Sequence, residues 1–255
     1  ILYKGKNILE MNDKEMNQIR SGEISMIYQE PGNALNPVFT IGQQMMDVAR
    51  FSEQGKQKSK EELKKMVLEA IQNVFIPDAE RIFEYYPNQL SGGMKQRICI
   101  AKAIMTQRDL MIADEPGTAL DVTIQDQVHK ILNRLVAERE MSLIMITHSL
   151  GVARELTDSI NVMYAGTVVE SARTRDLFQH TLHPYTIGLM EAVPRLGGGG
   201  IQSGIYGSIP DYQYPPKGCR FAPRCSRATE QCRMEKPTQK DMGGGHKVSC
   251  FHPQV

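Results

Sequence analysis

The stretch that most constrains this chain lies at residues 90–97, which read Leu-Ser-Gly-Gly-Met-Lys-Gln-Arg. The serine and the two glycines precede a helical pattern, so they place backbone N–H groups without helical partners at the start of a helix. The helix dipole adds partial positive charge there, and glycine lets an anion come close. Taken alone, Ser-Gly-Gly is more often a turn before a helix. An apolar run at 110–113 that ends in Asp114-Glu115-Pro116 follows it, and the two motifs together indicate a phosphate site.

Three short apolar runs predict strands, at 24–28, 110–113 and 143–146. Such runs are typical of parallel strands that are buried on both faces. Helical patterns lie before and between them, and two begin at capping boxes, Asn12–Glu15 and Thr40–Gln43. We therefore predict an α/β domain with a mainly parallel sheet over residues 1–196, interrupted by a helical insert at about 40–106. Residues 197–255, which begin with glycines at 197–200, predict an irregular, cysteine-rich C-terminal extension.

Composition limits the partners that this chain can attract by charge. Its 30 Lys and Arg against 29 Asp and Glu give a net charge of +1, so we expect no electrostatic drive toward nucleic acid or anionic lipid. No apolar run approaches the ~20 residues that a membrane-spanning helix needs. The length, 255 residues, allows one main domain and an appendage.

Polar side chains follow the predicted strands in a fixed order. Gln29 ends the first strand, Asp114 and Glu115 end the second, Asp121 follows in a Leu-Asp pair, and His148 ends the third in a Thr-His pair. Each has an ordinary interpretation when taken alone, as an exposed strand-end carboxylate or a surface histidine. Together with Ser-Gly-Gly, however, the order resembles the ABC-type ATPases at every step after their phosphate-binding Walker A loop.

The resemblance implies a role in ATP hydrolysis for each of these side chains. Asp114 would reach Mg²⁺, and Gln29 would touch Mg²⁺ or the attacking water. Glu115 would polarise that water, and His148 would contact the γ-phosphate of ATP. Asp121 would lie near the nucleotide, in a loop that crosses to a second ATPase subunit.

The Ser-Gly-Gly loop is implied to act on the partner's nucleotide. In this family the signature loop of one subunit closes on ATP that the Walker A loop of the other subunit holds. Ser91, Gly92, Gly93 and Gln96 would then belong to the nucleotide-binding set.

The Walker A loop itself, G-x-x-x-x-G-K-[ST], is not found in the sequence. Gly5 and Lys6 lack the upstream glycine and the following hydroxyl residue. We therefore expect an N-terminally truncated piece of a longer protein, which as given would bind ATP poorly and be inactive alone. Two smaller departures are Gly117, where the family usually has Ser or Thr, and Ser149, where it usually has Asp.

Further motifs are similar to those of the dipeptide and oligopeptide importer ATPases. The more specific ones are Leu-Asn-Pro at 35–37 and His-Pro-Tyr-Thr at 183–186, although each alone is ordinary turn or helix-start chemistry. A Thr-Ala-Leu-Asp-Val-Thr motif at 118–123 points the same way. This resemblance implies transmembrane permease subunits, a second ATPase subunit and, indirectly, an extracytoplasmic solute-binding protein as partners. It also implies a peripheral place at the cytoplasmic face of the cell membrane.

The loop from Gln29 to Leu35 and the helical insert would, by the same resemblance, form a groove for a coupling helix of the permease. Four apolar side chains could line that contact or pack in the core, with the core at least as well supported: Phe39, Ile41, Met45 and Met46.

Four of the five cysteines crowd the C-terminal region: Cys219, Cys225, Cys232 and Cys250. Four thiolates can hold a [4Fe–4S] cluster or tetrahedral Zn²⁺, but the C-x-x-C pairs that zinc sites favour are absent. Some members of the importer branch hold an iron–sulfur cluster in this region. We therefore expect a cluster ahead of zinc, and either ahead of four free thiols. Cys99, in the signature helix, is expected to be a small core residue.

The sequence thus predicts an ATP-hydrolysing subunit that powers import of dipeptides or oligopeptides. A nickel or other solute importer of the same branch is the alternative within transport. A soluble ABC ATPase acting on ribosomes or chromosomes fits less well, because charge is near neutral and long heptads are absent. A non-catalytic ABC subunit is compatible with the missing Walker A loop, although retention of both Glu115 and His148 argues against it.

Overall fold

The computed structural model describes residues 1–117, 120–139, 141–193, 204–211 and 213–254. The chain divides into two compact units, Ile1–His148 and Ser149–Val255. The predicted boundary between residues 196 and 197 and the glycines at 197–200 lie outside the described residues, so that division stays a prediction. No helix in the described part of the chain is both long and apolar enough to cross a membrane.

A three-stranded parallel sheet forms the centre of the first unit. The strands of this unit are β1 (Leu2–Tyr3), β2 (Lys6–Asn7), β3 (Ile24–Ile27), β4 (Leu110–Asp114) and β5 (Ser142–Ile146). The order β3-β4-β5 is parallel throughout, whereas β1 and β2 form a separate antiparallel pair. The three apolar runs therefore form the strands that the sequence predicts, but the prediction of burial on both faces is wrong for β5, where Ile144 and Ile146 are 51% and 48% exposed. Because parallel strands end at the same edge, the residues after β3, β4 and β5 meet there.

Helices surround this sheet and form the predicted insert. They are α1 (Asp13–Gly22), α2 (Pro31–Ala34), α3 (Ile41–Phe51), α4 (Lys60–Asn73), α5 (Ala79–Phe83), α6 (Gly92–Ile104) and α7 (Val122–Arg139). Both predicted capping boxes are present, at Asn12–Glu15 before α1 and at Thr40–Gln43 before α3. In each box the two residues satisfy one another's backbone N–H groups, which fixes the helix start.

One apolar core joins the parallel sheet to the helices of the insert. α6 lies deep within it, because Ile98, Ile100 and Ala101 are fully buried. Cys99 is also buried, as predicted, and burial raises the pKa of its thiol to about 11. Of the four proposed groove residues, Ile41 and Met45 are fully buried and Met46 packs against the core. These three therefore pack in the core, and Phe39 alone of the four is exposed.

The second unit contains an antiparallel sheet in the order β6-β7-β9-β8. Its elements are α8 (Leu150–Leu156), β6 (Ser159–Tyr164), β7 (Thr167–Arg173), α9 (Thr174–Gln179), α10 (Pro184–Glu191), α11 (Glu230–Met234), β8 (Lys240–Asp241) and β9 (Lys247–Val248). β7 pairs with β9 through Glu170 and Val248. This pairing joins the cysteine-rich region to the β6–β7 hairpin in one sheet. The sequence of the cysteine-rich region has no regular hydrophobic pattern and does not predict this strand pairing.

Candidate functional site

The first residue after β4, Glu115, has an unusual backbone conformation. Its φ is +44°, in the left-handed region, and its N–H donates to the carbonyl of Ile146 at 2.9 Å. A non-glycine residue held in this region costs about 1–3 kcal/mol and persists where its surroundings fix it. Residues of this kind cluster at functional sites.

The carboxylate of Glu115 lies between two side chains from neighbouring strand ends. Gln29 Nε2 donates to Glu115 Oε2 at 3.2 Å, and His148 Nδ1 lies 2.8 Å from Glu115 Oε1. Glu115 is largely covered, with 18% of its side chain exposed, whereas 73% of the His148 side chain is exposed. The structure thus brings together the three residues predicted to be catalytic, and their roles stay predictions.

The two predicted aspartates occupy different positions near this cluster. Asp114 is the last residue of β4, is partly buried, and lies opposite Ile146 of β5. Asp121 precedes α7, is exposed, and accepts a hydrogen bond from Ile124 N–H at 3.0 Å. Asp121 therefore acts as a helix cap in this structure. Residues 118 and 119 of the predicted 118–123 motif lie outside the described residues.

The Ser-Gly-Gly loop forms the start of α6. Ser91 is the N-cap, and its Oγ accepts from Met94 N–H at 3.2 Å. Ser91 and Gly92 are exposed, and a methyl group added at Gly92 would meet no described atom within 4 Å. A methyl group at Gly93 would lie 3.5 Å from Leu120. The loop therefore presents an open helix N-terminus that an anion can approach.

Gln96 differs from the rest of the predicted nucleotide-binding set. Its side chain is buried, with 1% exposed, and Nε2 donates to the carbonyl of Pro116 at 3.0 Å. This places Gln96 inside the first unit, beneath the surface that Ser91 and Gly92 present. Its predicted contact with nucleotide has no support in this position.

The four predicted cysteine ligands line one small cavity in the second unit, together with Phe221 and His183. Burial raises the pKa of the Cys219, Cys225 and Cys250 thiols, and neighbouring cysteines add to each shift. None of the chain's cysteines forms a disulfide in the part that the structure describes. The cavity therefore collects four thiols, as the sequence predicts.

Hydrogen-bonding groups contact two of these sulfurs. His252 N–H donates to Cys250 Sγ at 3.3 Å, and the Thr229 hydroxyl lies 3.4 Å from Cys232 Sγ. Hydrogen bonds to sulfur are typical of cysteines that ligate clusters, so the donor set fits such a group. Among the described residues, however, no three His, Cys, Asp or Glu side chains stand in a metal-binding arrangement. The cluster and the zinc alternative are therefore unconfirmed.

A buried carboxylate that sequence reasoning missed lies in the second unit. Glu170 is fully buried and accepts hydrogen bonds from Leu182 N–H at 2.8 Å and His183 N–H at 3.0 Å. His246 Nε2 lies 2.8 Å from the same carboxylate. The sequence signal that could have indicated a buried carboxylate here is the His-Pro pair that starts α10. A helix N-terminus stabilises a nearby anion such as the Glu170 carboxylate.

Comparison with known protein families leads to the family that these motifs resemble. Residues 1–118 match the family described as "ABC transporter", and residues 169–232 match "Oligopeptide/dipeptide transporter, C-terminal region". The dipeptide transport ATP-binding protein DppD of Bacillus subtilis (strain 168) is 42% identical over 252 residues, which are 98% of this chain and 74% of that protein. The chain belongs to the family of ABC transporter ATP-binding proteins. The oligopeptide transport ATP-binding protein OppD of Haemophilus influenzae is 44% identical over 98% of this chain and 76% of its own length.

Solved ABC structures have the same fold. The ATP-binding cassette MJ0796, in a dimeric post-hydrolysis state bound to ADP and Pi, matches with a TM-score of 0.62 and 28% identity, over 68% of this chain and 72% of that one. CbiO1 of Clostridium perfringens matches with a TM-score of 0.57 at 24% identity, over 70% and 67%. The predicted ABC-type α/β fold is therefore confirmed, and the chain is an ABC-type ATPase subunit.

Proposed function

We propose that this ABC ATPase subunit powers the import of dipeptides or oligopeptides. The names of its relatives and the matching C-terminal region support this substrate class. In this proposal the chain works at the cytoplasmic face of the membrane, with transmembrane permease subunits and a second ATPase subunit. An extracytoplasmic binding protein would deliver the peptide. The observation that carries the hydrolytic part is the Glu115 carboxylate held between Gln29 and His148.

The residues at the strand ends fit the needs of phosphoryl transfer to water. The partly buried Asp114 carboxylate, with the Gln29 amide, would hold Mg²⁺, which when bound neutralises phosphate charge. Glu115 would accept a hydrogen bond from the attacking water and orient it. As the water oxygen bonds to the γ-phosphorus, the bond to the β-phosphate oxygen breaks, ADP leaves with that electron pair, and the water proton passes through Glu115 to the phosphate that is released. His148, held by Glu115 through Nδ1, would turn its other ring nitrogen, Nε2, toward the γ-phosphate.

The hydrogen bonds of Glu115 in this structure affect how it can orient the attacking water. Each oxygen of its carboxylate already has a partner, Gln29 on one and His148 on the other. Because each carboxylate oxygen can accept more than one hydrogen bond, Glu115 can orient water while Gln29 and His148 hold it. Ser91, Gly92 and Gly93 would meanwhile close on the nucleotide of the partner subunit, where their exposed helix N-terminus suits a phosphate.

A substitution at Glu115 tests the hydrolytic part in the complete subunit assembled with its permease. With Glu115→Gln we expect the ATPase rate and peptide uptake to fall at least ~100-fold, while ATP still binds. Glu138→Gln, an exposed glutamate on α7, is the matched control and should leave both unchanged. An unchanged ATPase rate with Glu115→Gln would overturn this assignment. Uptake of nickel in place of labelled peptide would instead overturn the substrate class.

We also propose that the four cysteines of the second unit hold a [4Fe–4S] cluster, with Zn²⁺ as the alternative. The support is the shared cavity, the N–H donor to Cys250 and the Thr229 hydroxyl beside Cys232. Oxygen-free purification should give about four iron and four sulfide per chain. One zinc without iron would favour the alternative, and neither metal would overturn both. Replacing Cys225 by Ser should remove the metal, whereas replacing Cys99 by Ser should not.

A further inference from the structure

The loop that carries Glu115 is anchored on both sides by hydrogen bonds to its backbone. On the sheet side, Glu115 N–H donates to the carbonyl of Ile146 at 2.9 Å. On the helix side, Gln96 Nε2 donates to the carbonyl of Pro116 at 3.0 Å. Two adjacent residues are therefore fixed between the end of β5 and the first turns of α6.

The anchor on the helix side is rigid. Gln96 has 1% of its surface exposed, and the α6 residues that follow it, Ile98 and Ile100, are fully buried. Pro116 is buried as well, so its carbonyl has little access to water as a replacement partner. The left-handed φ of Glu115 needs such constraints, because a strained residue relaxes when its surroundings release it.

We infer that Gln96 is a positioning residue for Glu115. Its hydrogen bond to Pro116 holds the backbone that aims the Glu115 carboxylate at Gln29 and His148. It also connects that carboxylate to the helix that begins at Ser91, which faces the partner's nucleotide in the proposed dimer. Engagement of one nucleotide by α6 is thereby transmitted to the water-orienting group at the other. This inference rests on the role proposed for Glu115.

Gln96→Met tests the inference in the complete subunit within the assembled transporter, because Met keeps the volume and removes the donor. We expect kcat for ATP hydrolysis to fall at least ~10-fold while KM for ATP stays within about twofold. The control is Thr174→Val, which removes another buried donor, from Thr174 Oγ1 to the carbonyl of Thr157 at 2.6 Å. Thr174→Val should lower thermal stability about as much as Gln96→Met does, and it should leave kcat for ATP hydrolysis unchanged. An unchanged kcat in Gln96→Met, or a raised KM at constant kcat, would overturn the inference.

A double substitution separates positioning from general damage. In the Glu115→Gln background, followed by single-turnover hydrolysis, Gln96→Met should cause no further loss, because the group that it positions is already removed. A further loss as large as in the wild-type background would overturn the inference. Should Gln96→Met fail to fold, Gln96→Leu also removes the donor without burying a charge, and it should lower kcat likewise. A wild-type rate in Glu115→Gln alone would instead refute the proposed role of Glu115.

Discussion

His148 Nδ1 lies 2.8 Å from Glu115 Oε1, although 33 positions separate the two residues in the chain. The contact exists because β4 and β5 are parallel neighbours whose C-terminal ends meet at one edge. An ionised carboxylate can only accept, so Nδ1 carries the proton in this contact. The contact therefore fixes the orientation of the imidazole and leaves Nε2 pointing away from Glu115.

Removal of this imidazole should slow hydrolysis. We expect His148→Ala to lower kcat by roughly 10²–10⁴, the usual range for a positioned group that takes part in proton transfer. The measurement is steady-state ATPase activity of the assembled complete subunit. His180→Ala, at an exposed histidine of the second unit, is the control and should retain the wild-type rate. Equal rates in the two variants would refute a role for His148.

The cluster of Gln29, Glu115 and His148 could be predicted from the sequence because it depends on a few strongly patterned strands. The runs before Gln29, Glu115 and His148 are apolar enough to favour parallel pairing, although Ile144 and Ile146 of the last run are about half exposed in the structure. Parallel pairing alone then brings the three strand ends to one edge. No side-chain detail is needed for this step.

The burial of Gln96 could not be predicted in the same way. α6 is buried over most of its surface, so its sequence lacks the amphipathic stripe that would separate an inward glutamine from an outward one. The partner of Gln96, Pro116, lies 20 positions further on. The burial of Glu170 could not be predicted for a similar reason. Its three hydrogen-bond partners come from residues 12, 13 and 76 positions away.

The buried Glu170 should be important for the stability of the second unit. Glu170→Gln keeps the shape but turns an amide NH₂ toward backbone N–H donors of Leu182 or His183, which leaves a buried donor unpaired. We expect the free energy of unfolding to fall by about 2–4 kcal/mol, measured by urea denaturation. Glu191→Gln, at the exposed end of α10, is the matched control and should change it by less than about 0.5 kcal/mol. A similar small change at Glu170 would contradict this account.

A buried histidine should make the second unit sensitive to acid. His183 is 1% exposed and its Nδ1 accepts from Tyr185 N–H at 3.0 Å. Burial lowers the pKa of His183 to about 4 from an ordinary 6.5, against a smaller opposing effect of the Glu170 charge. The unfolded chain therefore takes up this proton first as pH falls. Stability from neutral His183 is complete above about pH 6.5, declines between about 6.5 and 4, and totals roughly 3 kcal/mol.

Unfolding free energies at about pH 7, 5.5 and 4.5 would measure this contribution. His183→Asn supplies an oxygen that can still cap α10 and cannot titrate, so its stability should decline less between these values. His180→Asn removes an exposed histidine and should keep the wild-type decline. Parallel declines in wild type and His183→Asn would show that another group is responsible.

Two glycines at the same position of different helices should respond to alanine in opposite directions. Gly42 is the second residue of α3, and a methyl group there would overlap the ring of Phe83. Gly151 is the second residue of α8, and its nearest neighbour would be Ser149 Oγ at 3.9 Å, an ordinary contact. Gly42→Ala should therefore cost about 1–3 kcal/mol through overpacking, whereas Gly151→Ala should gain about 0.5–1 kcal/mol from helix propensity. Thermal unfolding of both variants checks this. Stabilisation by both would mean that α3 can move away from α5, whereas destabilisation by both would contradict the gain expected at Gly151.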